Sequence, residues 1–287
     1  MMKLNGLAKR YRVDDGRGFR LAVWDPADTN GLADETSVQN LVQLSEIQER
    51  LCAQDHWAVL LLFQGMDTAG KGSTARYIMS RIDPQGCQVT AFTQPSAEEL
   101  DHDFLWRAAC RLPARGQIGI FRRSYYEEVL VVRVHSGILG SQRLPPKLVT
   151  KTIWKERLED INAFERHLVR NGTLVLKFFL NVSKEEQKRR LLARLDDPAK
   201  QWRFDPGSVT ERQRWDDYMK AYEEMIRATA TPDAPWHVIP ADNRWFALLT
   251  VASAIVDALE GLGLAAPEVG PELREQLLSA RAMLENE

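Results

Sequence analysis

Five short segments of the chain are apolar almost without interruption: 57–63 (WAVLLLF), 88–92 (QVTAF), 117–121 (QIGIF), 173–180 (TLVLKFFL) and 236–239 (WHVI). Each is rich in β-branched or aromatic residues and continuous rather than alternating, the pattern of strands in a parallel sheet covered on both faces. Between and after them apolar positions recur at helical spacing, over roughly 71–82, 96–111, 124–134, 146–171, 184–195, 208–230 and 243–262. Gly172 follows the fourth of these, where a helix C-terminal stop is expected. Strand–helix alternation of this kind predicts one α/β doubly wound domain with a five-stranded parallel sheet. Leu41, Leu44, Ile47 and Leu51 give 38–52 the spacing of an amphipathic helix ahead of the first strand. The end of the chain reads as a last amphipathic helix, with Leu273, Leu277, Leu278 and Met283 on one side. Residues 1–36 carry no strong pattern. The expected division is therefore an N-terminal arm and helix (1–56), a nucleotide-fold domain (57–262) and a helical tail (263–287).

Composition narrows the function classes. The chain has 287 residues, 27% charged and 44% hydrophobic, which is the mix of a globular protein and not of a disordered one. Its longest apolar runs fall well short of the roughly 18–20 residues a membrane-spanning helix needs. The polar start lacks the apolar core of a secretory signal. Three cysteines (Cys52, Cys87, Cys110), with no CxxC spacing, discourage a disulfide scaffold or zinc ribbon and make a reducing cytoplasm the expected location. The five histidines show no ligand spacing.

Net charge is −2, from 38 basic and 40 acidic residues, which as a total argues against a polyanionic partner. Its distribution reverses that. Residues 104–155 hold ten basic side chains against only Glu127 and Glu128, so the remainder of the chain is acidic. Such a split predicts one face meant for a polyanion. The competing reading is that Arg107 and Arg111, or Lys147, Lys151 and Lys155, solvate the outer faces of helices at four-residue spacing.

Directly after the first strand comes the run Gly65, Met66, Asp67, Thr68, Ala69, Gly70, Lys71, Gly72, Ser73. Its G-x-x-x-x-G-K core, between a buried strand and a helix, has a mechanism. Glycines let backbone N–H groups close around phosphate oxygens, and the helix N-terminus adds partial positive charge. Lys71 then offers a mobile cation to a transferring phosphoryl group. Gly72 stands where a P-loop ATPase has its Mg²⁺-binding hydroxyl, which moves that role to Ser73. A carboxylate inside a phosphate loop is repulsive unless a cation intervenes, so Asp67 is a candidate Mg²⁺ ligand or a group that orients the attacking phosphate.

Six blocks taken in order extend the reading: GMDTAGKG; DPQG at 83–86; QPSAEELDHDFLWR at 94–107; IGIFRRSYYEEVLVVRVH at 118–135; VSKEEQKRRLLARLDDPAKQWRF at 182–204; and HVIPADNRWFALLTVASAIVDALEGL at 237–262. Together they resemble the polyphosphate kinase type 2 family over roughly residues 40–262. The wording of the third and fourth blocks is most like the subgroup that phosphorylates both AMP and ADP.

The resemblance implies a thymidylate-kinase-like P-loop fold, three layers α/β/α with a helical lid at about 184–215. It also implies Mg²⁺-dependent phosphoryl transfer between inorganic polyphosphate and adenine nucleotides. It carries Asp67 and Lys71 over as the loop aspartate and lysine, Arg123, Ser124 and Tyr126 as the second motif, and Arg190 as the lid arginine, with Pro198, Lys200 and Trp202 in the rest of the lid. The catalytic set it implies is Asp67, Lys71, Arg123 and Arg190. Arg122, Arg133, Arg194 and Lys200 join the loop as phosphate or nucleotide contacts, and Asp67 and Glu127 are the metal pair. Arg122 departs from the family, which has Asp or Asn there. A guanidinium cannot coordinate a cation, so either Asp67 and Glu127 hold the metal without it or the chain is catalytically weakened.

The physics agrees with the resemblance. Phosphoryl transfer asks mainly for positioning and charge neutralisation, and residues 184–203 add seven basic side chains against four acidic ones. Trp202 is expected to pack between lid helices, Tyr125 and Tyr126 to pack, and 242–243 to cap the helix after the last strand. Two alternatives stay open: an ATP-dependent nucleoside monophosphate kinase, which needs no extended cationic groove, and a non-catalytic P-loop protein that binds nucleotide or phosphate. No nucleic acid or membrane partner is expected. A homo-oligomer, dimer or tetramer, is expected from the helical arms.

Overall fold

The computed structural model describes residues 6–32 and 42–287. Six strands form one sheet: β1 (Arg12–Val13), β2 (Ala58–Gln64), β3 (Cys87–Ala91), β4 (Ile118–Arg122), β5 (Thr173–Asn181) and β6 (Trp236–Pro240), in the spatial order β1-β6-β5-β2-β4-β3. The five expected strands are all present and mutually parallel. The sixth is a correction to the five-stranded sheet. Arg12 and Val13 pair antiparallel with His237 and Trp236 at the edge, and two residues are too few to leave a periodicity in the sequence.

All seven residues of β2 are buried, and the central strands β2 and β5 stack Phe63 on Phe178 with ring centroids 5.1 Å apart. Burying each such ring stabilises the fold by about 1.5–3 kcal/mol. Helices α1 (Val42–Gln54), α2 (Lys71–Met79) and α10 (Arg244–Glu260) pack together, α10 touching the other two. Helix α6 (Ile153–Arg170) packs on β5 and against α9 (Trp215–Thr229). The part of the expected first helix before residue 42 lies outside the described residues.

Long helical patterns break where local polar groups compete with the helix. The pattern over 96–111 resolves into α3 (Ala97–Leu100) and α4 (Trp106–Ala109), because Asp103 accepts a bond from Leu105 N–H (2.9 Å) and restarts the chain. That over 124–134 becomes a 3₁₀ turn (Tyr125–Val129), capped by Ser124, followed by α5 (Val131–Val134). That over 208–230 divides at Arg214 into α8 (Gly207–Gln213) and α9. Helix α7 (Lys184–Leu195) carries the lid, and α11 (Pro271–Glu285) ends the chain. Gly172, at φ 82°, does follow the end of α6.

The strand order sets the position of the site. The chain leaves β2 for the β3–β4 side of the sheet and, after β4, crosses to the β5–β6 side. A crevice opens outside the carboxyl ends of strands at such a switch. Pairing of Phe63 with Arg122 brings the loop after β2 level with the turn after β4.

Candidate active site

The loop leaving β2 has a backbone that few residues allow. Gly65 has φ 146°, and a Cβ there would stand 2.8 Å from the Leu180 carbonyl oxygen, so only glycine lets the chain turn against β5. Thr68 also adopts a left-handed conformation (φ 62°), and its buried Oγ1 has no hydrogen-bond partner among the described residues. Strain and an unsatisfied hydroxyl in one loop are marks of a ligand site. Lys71 opens α2 and bends back so that Nζ donates to Gly65 O (2.5 Å) and Met66 O (3.0 Å). Burial pushes its ammonium down to about 8; Asp67 opposes that shift and the neighbouring Arg123 adds to it.

The turn after β4 faces this loop. Arg123, with φ 63°, donates its backbone N–H to Phe63 O (3.1 Å), and its Nη2 donates to Asp67 Oδ1 (3.1 Å). Burial pushes the Asp67 carboxyl up, but Lys71 and Arg123 outweigh it and hold the group below the usual carboxylate range. Glu127 behaves oppositely: burial raises its carboxyl despite Arg123 and Lys71. The Gln64 amide, oriented to satisfy its neighbours, donates to Glu127 Oε1 (2.9 Å) and accepts from Ser124 N–H (3.2 Å). Beneath the turn, buried Lys177 donates to Glu165 Oε2 (2.6 Å), while the hydroxyls of Tyr125 and Tyr126 donate to Glu165 Oε1 (2.9 and 2.7 Å). Both tyrosines pack as expected, and they also anchor the turn.

Lid residues close over the loop. Arg190 spends its donors on the scaffold: Nε on Glu186 (2.6 Å), Nη1 on the carbonyls of Thr68 and Ala69, and Nη2 on those of Ala241 and Asp242. In this conformation it fastens the lid's base to the phosphate loop. Gln187 Nε2 donates to Asp67 O (3.1 Å), and Ser208 Oγ of α8 donates to Asp67 Oδ2 (3.1 Å).

These elements bound a cleft of about 1040 Å³. Ten basic side chains line it against one acidic, Asp67. Arg76, Arg122, Arg194, Arg203 and Arg244 have no ion-pair partner among the described residues. Five cations left without counter-charges at one cleft favour a polyanion as occupant.

Of the residues singled out from the sequence, Asp67, Thr68, Gly70, Lys71, Gly72, Ser73, Arg122, Arg123, Arg190, Arg194 and Lys200 line this cleft. Gly65, Met66 and Ala69 shape the loop behind it. Glu127 acts from beside it, through its charge on Lys71 and Arg123. Arg133 is not part of the lining: it pairs with Glu224 of α9. The basic stretch 104–155 contributes only Arg122 and Arg123 to the cleft. Arg107 and Arg143 pair with Glu99 and Asp101, and Arg115 donates to the carbonyls of His56 and Asn171. Half of the cleft's basic side chains come instead from the lid, with Lys71 and Arg76 added from α2 and Arg244 from α10.

Two expectations are corrected. Trp202 does not pack between lid helices but is 75% exposed at the cleft. Asn243 stands at the N-cap of α10, yet its side chain makes no capping bond and donates to Ala27 O; Asp242 accepts from Ser183 N–H. Ser208 is a contact that sequence reasoning misses, because a serine 141 residues from Asp67 carries no local signal; Gln64 precedes the loop, yet nothing in its spacing shows its bond to Glu127.

Mg²⁺ takes one or two carboxylates and completes its shell with substrate phosphate and water. Asp67, held ionised at the cleft wall, is a carboxylate of that kind; Glu127 stands near enough for the two charges to interact, and the unpartnered Thr68 hydroxyl lies in the same loop. The residues fit the ion.

A doubly wound sheet with a lysine-tipped glycine loop, a turn of arginines opposite it and a basic lid define a P-loop kinase. The chain belongs to the polyphosphate kinase 2 family, whose model, "Polyphosphate kinase 2 (PPK2)", matches residues 30–264. It is 45% identical over 282 residues to an ADP-polyphosphate phosphotransferase of Rhodopseudomonas palustris, covering 96% of this chain and 98% of the relative. An AMP/ADP-polyphosphate phosphotransferase of Meiothermus ruber is 40% identical over 266 residues, covering 91% and 96%. The crystal structure of polyphosphate kinase 2 from Arthrobacter aurescens superposes with a TM-score of 0.89 at 39% identity, covering 100% of this chain and 99% of that one. No helix among the described residues is long and apolar enough to cross a membrane.

Proposed function

We propose that the protein moves a phosphoryl group between inorganic polyphosphate and adenine nucleotides, converting AMP and ADP to ADP and ATP, reversibly and with Mg²⁺. The observation that carries this reading is the cleft: ten cations against one carboxylate, opening onto a phosphate loop. A single nucleotide needs fewer; a phosphate chain, charged at every unit, can engage the five that have no ion-pair partner as well as Lys71.

Lys71 leaves the carbonyls of Gly65 and Met66 for the incoming phosphate, which supplies a better partner than either. Arg123 neutralises charge on the equatorial oxygens while Asp67 keeps its guanidinium aligned. Closure of the lid excludes water, so that the phosphoryl group goes to the nucleotide and not to hydrolysis. Asp67 and Glu127 would hold Mg²⁺, which supplies neutralisation of the bridging phosphate oxygens when bound. The subgroup wording and the two relatives' names agree on ADP; AMP as a second acceptor is part of this proposal. A homo-oligomer also belongs to it, with α11, exposed over its whole length, as the face that a second copy would cover.

The test is product analysis by anion exchange. With long-chain polyphosphate and Mg²⁺, AMP should give ADP and then ATP, and EDTA should stop both steps. ADP turnover without AMP turnover would remove the second acceptor from the proposal. Transfer persisting in EDTA would remove the metal.

A further inference from the structure

Trp202 is the largest exposed apolar side chain of the lid, and its placement has no structural explanation. The residue is 75% exposed, yet it is held: its indole Nε1 donates to Ala199 O (3.0 Å), and the Arg203 guanidinium lies over its ring at 4.5 Å from the centroid. The turn that bears it is pinned to α7 by Gln201 Nε2 donating to Leu195 O (2.7 Å) and Arg194 Nη1 to Arg203 O (3.3 Å). An indole kept in water in one orientation is a binding surface prepared in advance.

Its neighbours restrict what it can bind. Trp202 lines the same cleft as Lys71, Arg194 and Lys200. Polyphosphate is a chain of tetrahedral anions with no planar face, so the arginines and lysines account for it and the indole does not. A nucleotide brings both parts: phosphates for the cations and a flat aromatic base for the ring. With Arg203 against one face of the indole, a base on the other would complete a cation–ring–base stack.

We propose that Trp202 is the stacking platform for the base of the nucleotide substrate. The inference rests on the cleft being the polyphosphate–nucleotide site. Because stacking reads a π-face and not hydrogen-bonding groups, the platform accepts any base, and discrimination between adenine and guanine nucleotides has to come from elsewhere.

The experiment compares wild type, Trp202→Phe and Trp202→Ala in steady-state transfer from polyphosphate to ADP. A base stack is worth about 1–3 kcal/mol, so Trp202→Ala should raise the KM for ADP about 10-fold. The KM for polyphosphate should stay within about twofold, and Trp202→Phe should recover most of the loss. Ribose 5-diphosphate, which lacks the base, should bind wild type and Trp202→Ala alike. Independently of turnover, ADP should quench wild-type tryptophan fluorescence, tripolyphosphate should not, and Trp202→Phe should abolish the difference. An unchanged KM for ADP in active Trp202→Ala, an equal rise in both KM values, or a change of oligomeric state in light scattering would overturn the proposal while leaving the proposed reaction intact. If wild type transfers nothing from polyphosphate, the reaction fails instead, and the fluorescence titration alone decides the stacking site.

Discussion

Lys71 must be charged to meet phosphate, and burial leaves its ammonium titrating near 8. In the free protein it is therefore charged below that pH and neutral above it. The expected pH profile of kcat/KM, which reports the free enzyme, falls on the alkaline side with an apparent pKa near 8. Glu127, raised above the usual carboxylate range by burial, loses its charge earlier on acidification than an exposed glutamate and steepens the acid side. Lys71→Arg should move the alkaline fall upward while lowering the rate; an unmoved fall would assign it to another group. Arg122 offers a second residue-level test. Its guanidinium packs on Gly72, where an added Cβ would come within 2.9 Å of Nη2. Arg122→Asn should raise the KM for polyphosphate about 2–5-fold, the scale of an exposed charge contact, without changing thermal stability. A higher Mg²⁺ requirement in wild type than in Arg122→Asn would instead mark the arginine as an impairment. Lys71 and Asp67 are legible because they lie within a glycine loop whose spacing has a mechanical reason, and Arg123 because it follows a strand's carboxyl end and matches the second motif of the resemblance. Ser208 reaches Asp67, and Gln64 reaches Glu127, only through the fold, and no spacing announces either contact.

Secondary elements were legible where burial is complete and obscured where side chains cap the backbone. Strands β2, β4, β5 and β6 read as apolar runs because both faces are covered, whereas the edge strand β3 is half-exposed and its run is correspondingly mixed with Gln88 and Thr90. The helix expected over 124–134 is instead a 3₁₀ turn and a single helical turn, since Ser124 accepts from Tyr126 N–H and turns the chain sharply. That turn presents Arg123 and Glu127, so the irregularity belongs to the site. It is held from below by Lys177 and Glu165, both buried. Removing one member leaves the other's charge without compensation, and Glu165→Ala is expected to cost about 3–5 kcal/mol in urea unfolding. The double replacement Lys177→Met with Glu165→Leu should cost much less than the sum. An additive result would show that the two side chains do not act as a pair.

For the whole molecule, a net charge of −2 conceals a cleft with ten basic side chains and one acid. The basic stretch is divided by folding: Arg107, Arg133 and Arg143 are spent on ion pairs, Arg122 stays unpaired at the cleft, and the other unpaired cations come from α2, the lid and α10. Charge summed along the chain cannot distinguish these, because pairing is a property of three-dimensional neighbours. Binding led by exposed cations weakens as salt screens them, so the KM for polyphosphate should climb more steeply with sodium chloride than that for ADP. Equal slopes would deny the cleft its role as the polyanion groove. The most direct measurement is a phosphorus balance. ³¹P NMR of the purified protein with Mg²⁺, polyphosphate and ADP should show one γ-phosphate of ATP appearing for each phosphate unit lost from the chain, with none in Lys71→Ala. An undiminished polyphosphate signal, in a protein that still equilibrates ATP and AMP with ADP, would contradict the reading of this cleft as a polyphosphate site.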